Sequence, residues 1–258
     1  MERLEKEIHK RLYNYETGTD YTPLEITMSV TPPVYISSPW IHLDGIIGYL
    51  CTRDALDDLF YLISTDKTID TSMLDLPFKQ TEDVNHSSVG QYDSALLYKD
   101  TIYKRFTDKE IDCLNPKLIT PRVTKRKGKT IVTPSRIQIS RGYFKDFMID
   151  LPMLLTDEIR FYCNADKAEM KRLLPNLKAV GKKTSIGSGF VQSINIHEIS
   201  EDYSFFKDNR VMRPIPTKIQ VPFVKGLVIS YLPYKPPYWS KSNLTMCASP
   251  ESQIKIGE

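Results

Sequence analysis

No apolar run in this 258-residue chain approaches the roughly 18 residues that a membrane-spanning helix needs. The opening Met1-Glu2-Arg3-Leu4-Glu5-Lys6 lacks the apolar core of a signal peptide. Cysteine is scarce: Cys51, Cys113, Cys163 and Cys247 form neither a CxxC zinc pair nor a small disulfide framework. They read as buried, reduced thiols. No Asp, His and Cys residues cluster at metal-ligand spacing. These absences predict a cytoplasmic protein with no membrane association, no metal and no cofactor.

Acid is missing from long stretches. Cys113 to Lys145 contains no Asp or Glu, yet carries Lys117, Arg122, Lys125, Arg126, Lys127, Lys129, Arg136, Arg141 and Lys145. A second acid-free stretch, Lys171 to His197, carries Lys171, Arg172, Lys178, Lys182 and Lys183. Residues 1–112 are acidic instead, with 11 Lys/Arg against 20 Asp/Glu. The overall charge of +3 conceals this split. One-signed basic blocks suit a polyanion, because each neutralised phosphate releases counterions. A solvated basic face explains a single block equally well.

Between the two ends of the second block lies Gly181-Lys-Lys-Thr-Ser-Ile-Gly-Ser-Gly-Phe190. Gly181, Gly187 and Gly189 have no Cβ to hold a ligand's phosphate away from the backbone, and consecutive N–H groups there can cradle an anion. Lys182 and Lys183 supply charge, and Thr184 and Ser185 supply hydroxyl donors. Nucleotide motifs are absent, however. Asn176 stands where a P-loop's first glycine belongs, and Gln192 where a dinucleotide fingerprint has its third. The loop also runs from helix to strand, so no helix N-terminus would face a ligand. A helix C-cap at Gly181 followed by an ordinary turn fits the same residues.

Residues 1–22 read as a polar, partly helical lead-in. Leu24, Ile26, Met28 and Val30 alternate as one face of a strand, which Pro32 and Pro33 stop. A helix starts in Ile41-His-Leu-Asp-Gly-Ile-Ile-Gly-Tyr-Leu50, Asp66 to Gly90 is turn-rich loop, and Ala95 to Phe106 has strand character. Lys125-Arg-Lys-Gly-Lys129 sits between β-branched runs, the pattern of a hairpin with a basic tip. Strands follow at 143–151 and 158–163. Asp166-x-x-Glu169 opens a short helix ending near Leu177, and Phe190 to Ile199 is again a strand. The order predicts an α+β, ferredoxin-like βαββαβ unit of the RNA-recognition kind, whose open sheet face suits RNA.

These landmarks carry a family resemblance. They are Leu24-Glu-Ile-Thr-Met-Ser-Val-Thr-Pro-Pro-Val34, Ile41 to Leu50, Tyr92-Asp-Ser-Ala-Leu96, Leu173 to Lys183 with Gly187-Ser-Gly189, and Arg213-Pro-Ile-Pro216. In this order, over roughly residues 23–220, the chain resembles the RAMP superfamily of CRISPR-associated proteins. It is most similar to the Cas five-like subunit of type IV effector complexes. The resemblance implies a lead-in at 1–22 and a RAMP domain at 23–216. A thumb-like basic insertion is expected at about 113–145, and a Pro/Tyr-rich C-terminal extension at 217–258. It implies a non-catalytic subunit that holds the 5′ handle of the guide RNA and caps a filament of backbone RAMP subunits present in multiple copies. The large subunit and target DNA near its flanking motif would be close by. On this reading Gly181, Lys182, Lys183, Thr184, Ser185, Gly187 and Gly189 contact RNA, and the hairpin residues Lys125, Arg126, Lys127, Lys129, Arg136 and Arg141 reach RNA, a neighbour or duplex.

Two other functions compete. Some RAMP proteins cleave the CRISPR repeat with a histidine base, for which His9, His42, His86 and His197 are the candidates. A generic nucleic-acid-binding adaptor is the third. Near the first helix His42 and Asp44 are expected to be structural, with Asp44 serving the helix N-terminus. Tyr92, Phe144, Phe190 and Phe206 are candidates to stack bases or to fill the core. Arg210 and Arg213 are candidate phosphate contacts or staples for the C-terminal segment.

Overall fold

The computed structural model describes residues 2–62, 73–105, 122–126, 128–133, 145–219, 227–250 and 255–256. In chain order the N-terminal elements are α1 (Glu2–Tyr13), β1 (Tyr21–Val30), β2 (Val34–Tyr35), α2 (Leu43–Leu56), β3 (Gln80–Thr81), β4 (Val84–Asn85) and β5 (Leu96–Lys104). Then come β6 (Arg122–Arg126), β7 (Lys129–Thr133), β8 (Phe147–Leu155), β9 (Glu158–Asp166), α3 (Lys167–Leu173) and β10 (Val191–Glu198). The C-terminal part adds β11 (Phe206–Lys207), β12 (Arg210–Val211), β13 (Ile215–Pro216), β14 (Ile229–Pro233), β15 (Leu244–Ala248) and β16 (Lys255–Ile256). The fold is mixed α/β, rich in strands and poor in helices. Two compact units are present: residues 1–98 with 153–258, and residues 99–152.

The first unit is built on an antiparallel sheet of order β10-β1-β9. Along β1 the expected alternation holds, since Leu24, Ile26, Met28 and Val30 are all buried. Ile26 pairs with Ile196 and Met28 with Ile194, so β10 adds to the same apolar face. α2 places Leu43, Ile47, Leu50 and Cys51 on one buried side, as helical spacing dictates. α3 begins where expected: the Asp166 side chain accepts from the Glu169 N–H at 3.0 Å. These faces enclose one core together with Phe78, Phe161 and Leu173. Cys51, Cys163 and Cys247 are free and buried, and burial pushes all three thiols up, Cys51 to about 12.

The stretch 73–90 departs from the expected loop. Segment 86–91 runs antiparallel along β9: Ser88 N–H donates to Tyr162 O at 2.7 Å, and Gln91 and Arg160 exchange bonds of 2.8 and 2.9 Å. Its polar residues mislead, because Asn85, Ser87, Ser88 and Gln91 are buried. Conversely β5 is a strand as expected but lies outside the β10-β1-β9 sheet, its first residues running parallel to β16. The other face of the central sheet also differs from expectation. There Arg160 lies among Glu158 (2.7 Å), Asp93 (2.9 Å) and Glu25 (3.5 Å), which leaves that face without surplus positive charge.

In the second unit β6 and β7 form the expected basic hairpin, with Lys125 opposite Thr130 and Arg126 opposite Lys129. Gly128 takes φ +74° at its tip, as a two-residue hairpin turn requires. Lys125 and Lys129 are exposed. Lys127, Arg136 and Arg141 lie outside the described residues. In the same unit, Asp150 accepts from Thr101 Oγ1 (2.8 Å) and pairs with Lys99 (2.6 Å).

Candidate nucleic-acid interface

The glycine loop starts where the 3-10 turn after α3 ends, and a bridge between Ala179 and Phe190 closes it at its base. Val180 N–H donates to Gly189 O at 2.9 Å across that base. β2 and its neighbour Pro33 then hold the loop from below. Lys182 N–H donates to Tyr35 O (2.6 Å), Gly189 N–H to Pro33 O (3.0 Å) and the buried Ser188 hydroxyl to Pro33 O (2.8 Å). Gly181 sits at φ +84° and Gly189 at φ +61°. A Cβ at Gly181 would lie 2.5 Å from Tyr35 O, and one at Gly189 would collide with Val180 O. Both glycines therefore serve the protein's own chain-to-chain approach.

Gly187 is different. It has φ +90° and nothing within 4 Å of the place a Cβ would take. It follows the 3-10 turn Thr184–Ile186, which starts from Lys183 in the left-handed region at φ 59°. Lys182, Thr184, Ser185 and Ile186 are exposed around it, and Lys183 is half-buried.

A cavity of about 660 Å³ opens between this loop and α2. Thr184, Ser185 and Gly187 line one side and Tyr49, Arg53, Ile46 and Gly45 the other, with His42 and Tyr238 at one end. A second groove of about 520 Å³ runs between α3 and β10, lined by Lys171, Leu174, Lys178, Ile194, Ile196 and His197 among others. The two meet at Leu177, Lys178 and Phe190. No Asp or Glu lines either one. Phe190 is 51% exposed and Tyr49 46%. Lys182 and Lys183 do not line either cavity, whereas Lys178 lines both. The sequence signal for Lys178 was its place in the acid-free stretch; nothing in the sequence singled out Arg53, Tyr49 or Tyr238.

The end wall rests on a buried ionic cluster. Arg213 donates to Asp44 Oδ2 at 3.2 Å, to Tyr234 O at 2.6 Å, and to Ser87 O and Oγ at 3.0 Å, and also reaches Asn85 O. Asp44 accepts from Tyr238 Oη (2.6 Å) and Asn85 Nδ2 (3.1 Å). Its carboxylate thus serves this cluster besides lying in the first turn of α2. Arg213 is the staple of the C-terminal segment. Tyr238 stacks on His42, with ring centroids 3.7 Å apart. Burial pushes the His42 pKa down to about 4 and the Tyr238 hydroxyl well above its usual value, so both rings are neutral near pH 7.

The other histidines are dispersed. His9 is exposed on α1, and His197 is exposed on β10 beside the second groove. His86 is held at both ring nitrogens, by Asp202 and Thr81 at 2.8 Å each, and stacks on Phe205. Tyr92 is buried, Phe206 half-buried, and Phe144 lies outside the described residues. Among the described residues no group of His, Cys, Asp and Glu is placed to hold a metal. No described helix is long and apolar enough to cross a membrane.

Such an arrangement can seat a flexible polyanion with exposed bases: aromatic faces for stacking, amine and guanidinium groups for phosphates, and no repelling carboxylate. A family model described as CRISPR type IV associated protein Csf3 matches residues 22–250. A chain of a solved structure, described as the type III-B Cmr-beta bound to cognate target RNA, is similar at 9% identity with a TM-score of 0.33. That match covers 76% of this chain and 66% of the other, so this chain spans just under two thirds of its length. A likeness of that size carries no argument. No curated protein matches the chain.

Proposed function

The chain belongs to the CRISPR type IV associated protein Csf3 family, and on that premise we propose that it is a non-catalytic, guide-RNA-binding subunit of a type IV ribonucleoprotein effector. The carrying observation is the acid-free cavity where the glycine loop faces Tyr49 and Arg53. Single-stranded RNA lies there with bases on Phe190 and Tyr49 and phosphates near Lys178, Arg53 and the open backbone at Gly187. Lys182 and Lys183 contribute from the rim.

On this reading β1, α2, segment 86–91, β9, α3 and β10 form the βαββαβ unit of a ferredoxin-like RAMP domain. The antiparallel order β10-β1-β9 with 86–91 beyond β9 supports it. The bound RNA is the 5′ handle of the guide, and the subunit caps a filament of repeated backbone subunits beside the large subunit. The basic hairpin, with Lys125, Arg126, Lys127 and Lys129, meets RNA, a neighbouring subunit or target duplex. A role without cleavage is favoured by the stacked, low-pKa His42 and the doubly bonded His86.

The test is fluorescence anisotropy of the full chain with a labelled single-stranded RNA carrying the repeat-derived handle. Salt-sensitive binding that prefers the handle over a scrambled strand, and that Phe190→Ala and Lys178→Ala weaken, is the expected result. Equal binding to any duplex, or indifference to both substitutions, overturns it. Incubated without divalent metal, the repeat RNA should stay intact. Specific cleavage lost in a His→Ala variant would refute the non-catalytic part.

A further inference from the structure

The outer edge of β10 is a free strand edge over most of its length. Its inner side pairs with β1, and among the described residues no strand covers the other side. Only its first residues are engaged there, through Val191 N–H to Lys178 O and the bridge from Phe190 to Ala179. Beyond Val191 the edge leaves alternate backbone N–H and C=O groups facing the groove of about 520 Å³. Of the usual defences of a free edge, one register shift is present, at Gln192 near the start of the strand. From Val191 to His197 there is no Pro, no Lys and no acid.

The groove beside this edge is apolar along its floor, with Leu174, Leu177, Ile194 and Ile196, and carries Lys171 on its helical bank and Lys178 beside Val191. Those features sort the occupants. A nucleic acid strand cannot satisfy a row of alternating amide donors and carbonyl acceptors, and the aromatic ring it would stack on, Phe190, sits only at the far end. A second copy of this chain would set lysine against lysine across a paired edge. An extended polypeptide matches every feature: its backbone completes the ladder, its alternate side chains cover the two isoleucines, and an acidic residue answers the two lysines.

We propose that the outer edge of β10 accepts an extended, acid-bearing segment of another protein as an added antiparallel or parallel strand. The segment docks between β10 and α3 beyond Val191 and stops where the Lys178 backbone already occupies the edge, next to the RNA cavity. Protein contact and RNA contact thus abut at Lys178 and Phe190 without sharing the β10 edge.

A photo-crosslinking amino acid at Gln192 or Asn195 tests this, in the full chain expressed with the other CRISPR proteins of its own locus. The expected adduct resists ribonuclease, is destroyed by protease, and maps to one extended segment containing Asp or Glu. Lys171→Glu, which reverses a charge on the groove bank, should weaken the Gln192 adduct several-fold while RNA retention stays as in the parent. A synthetic peptide of the mapped segment should bind the purified chain, and N-methylation at alternate residues should weaken it about tenfold or more. A ribonuclease-sensitive adduct places RNA on this edge and overturns the proposal, as does the absence of an adduct. A peptide indifferent to N-methylation overturns strand addition. Handle-RNA binding is read separately by anisotropy, so failure here leaves the RNA reading standing or falling on its own.

Discussion

Arg213 holds Asp44 at 3.2 Å with both side chains 1% exposed, a fully buried ion pair joining the first turn of α2 to the C-terminal third of the chain. Two further contacts make it a junction. The same guanidinium takes the carbonyls of Ser87 and Tyr234, so three stretches distant in sequence converge on one cation. Removing one member of such a set strands the others without water.

Arg213→Met should therefore destabilise the chain by about 3–5 kcal/mol, because Asp44 and three carbonyls lose their donor. Denaturant unfolding measures it. The double variant Arg213→Met with Asp44→Leu should recover part of the loss. If the single variant unfolds within about 1 kcal/mol of the parent, the cluster is not the staple described.

The loop glycines should separate by stability. Gly187→Ala should cost only about 1–2 kcal/mol for left-handed backbone in open space. Gly181→Ala and Gly189→Ala add a collision with Tyr35 O or Val180 O and should lower the melting temperature further. Equal losses at all three positions would contradict the assigned contacts.

Cations should separate by binding. Lys178→Ala with Arg53→Ala should shallow the salt dependence of RNA affinity by about 0.7 per phosphate contact removed, as for single strands. Lys182→Ala with Lys183→Ala should do so less. Tyr49→Ala and Phe190→Ala should each cost about 1–3 kcal/mol if a base stacks there. A larger effect from the rim pair than from Lys178 and Arg53 would relocate the phosphate path.

His42 gives a pH signature. Its folded pKa, near 4 through burial, lies below the unfolded value near 6.5. Between those values the unfolded chain binds the extra proton, so stability is complete above about pH 6.5 and falls as pH drops toward 4. The loss from this group should reach roughly 3 kcal/mol. His42→Phe keeps a ring against Tyr238 and should flatten that slope when unfolding is compared at pH 7 and pH 5. An unchanged slope would assign the acid sensitivity elsewhere.

What could be read from residues alone was periodic or one-signed. The alternation Leu24-Ile26-Met28-Val30, the Asp166 cap and the hairpin around Gly128 depend on neighbours in sequence, and they stand as expected. Segment 86–91 was illegible because its polar side chains look like loop. They are buried because partners distant in sequence bond them: Arg213 donates to Ser87 Oγ, the Asn85 amide donates to Asp44, and Ser88 Oγ accepts from Tyr162 N–H. The glycine loop was legible as a place of close approach but not as to what approaches. At Gly181 and Gly189 the answer is Tyr35 and Val180, and of the three only Gly187 has open space where a Cβ would stand. Lys182 and Lys183 stand out in the sequence by adjacency to glycine; the cavity wall is drawn by α2, which no local pattern connects to the loop.

The Tyr238–His42 stack has a consequence for biogenesis. One end of the cavity is walled by a residue that emerges long after the loop and α2 have been synthesised. A chain interrupted between Phe190 and Tyr238 carries the glycine loop and the basic stretch but lacks that wall and the Tyr238 hydroxyl that donates to Asp44. Such products display charge without a finished cavity, and closing the cavity waits on the C-terminal segment.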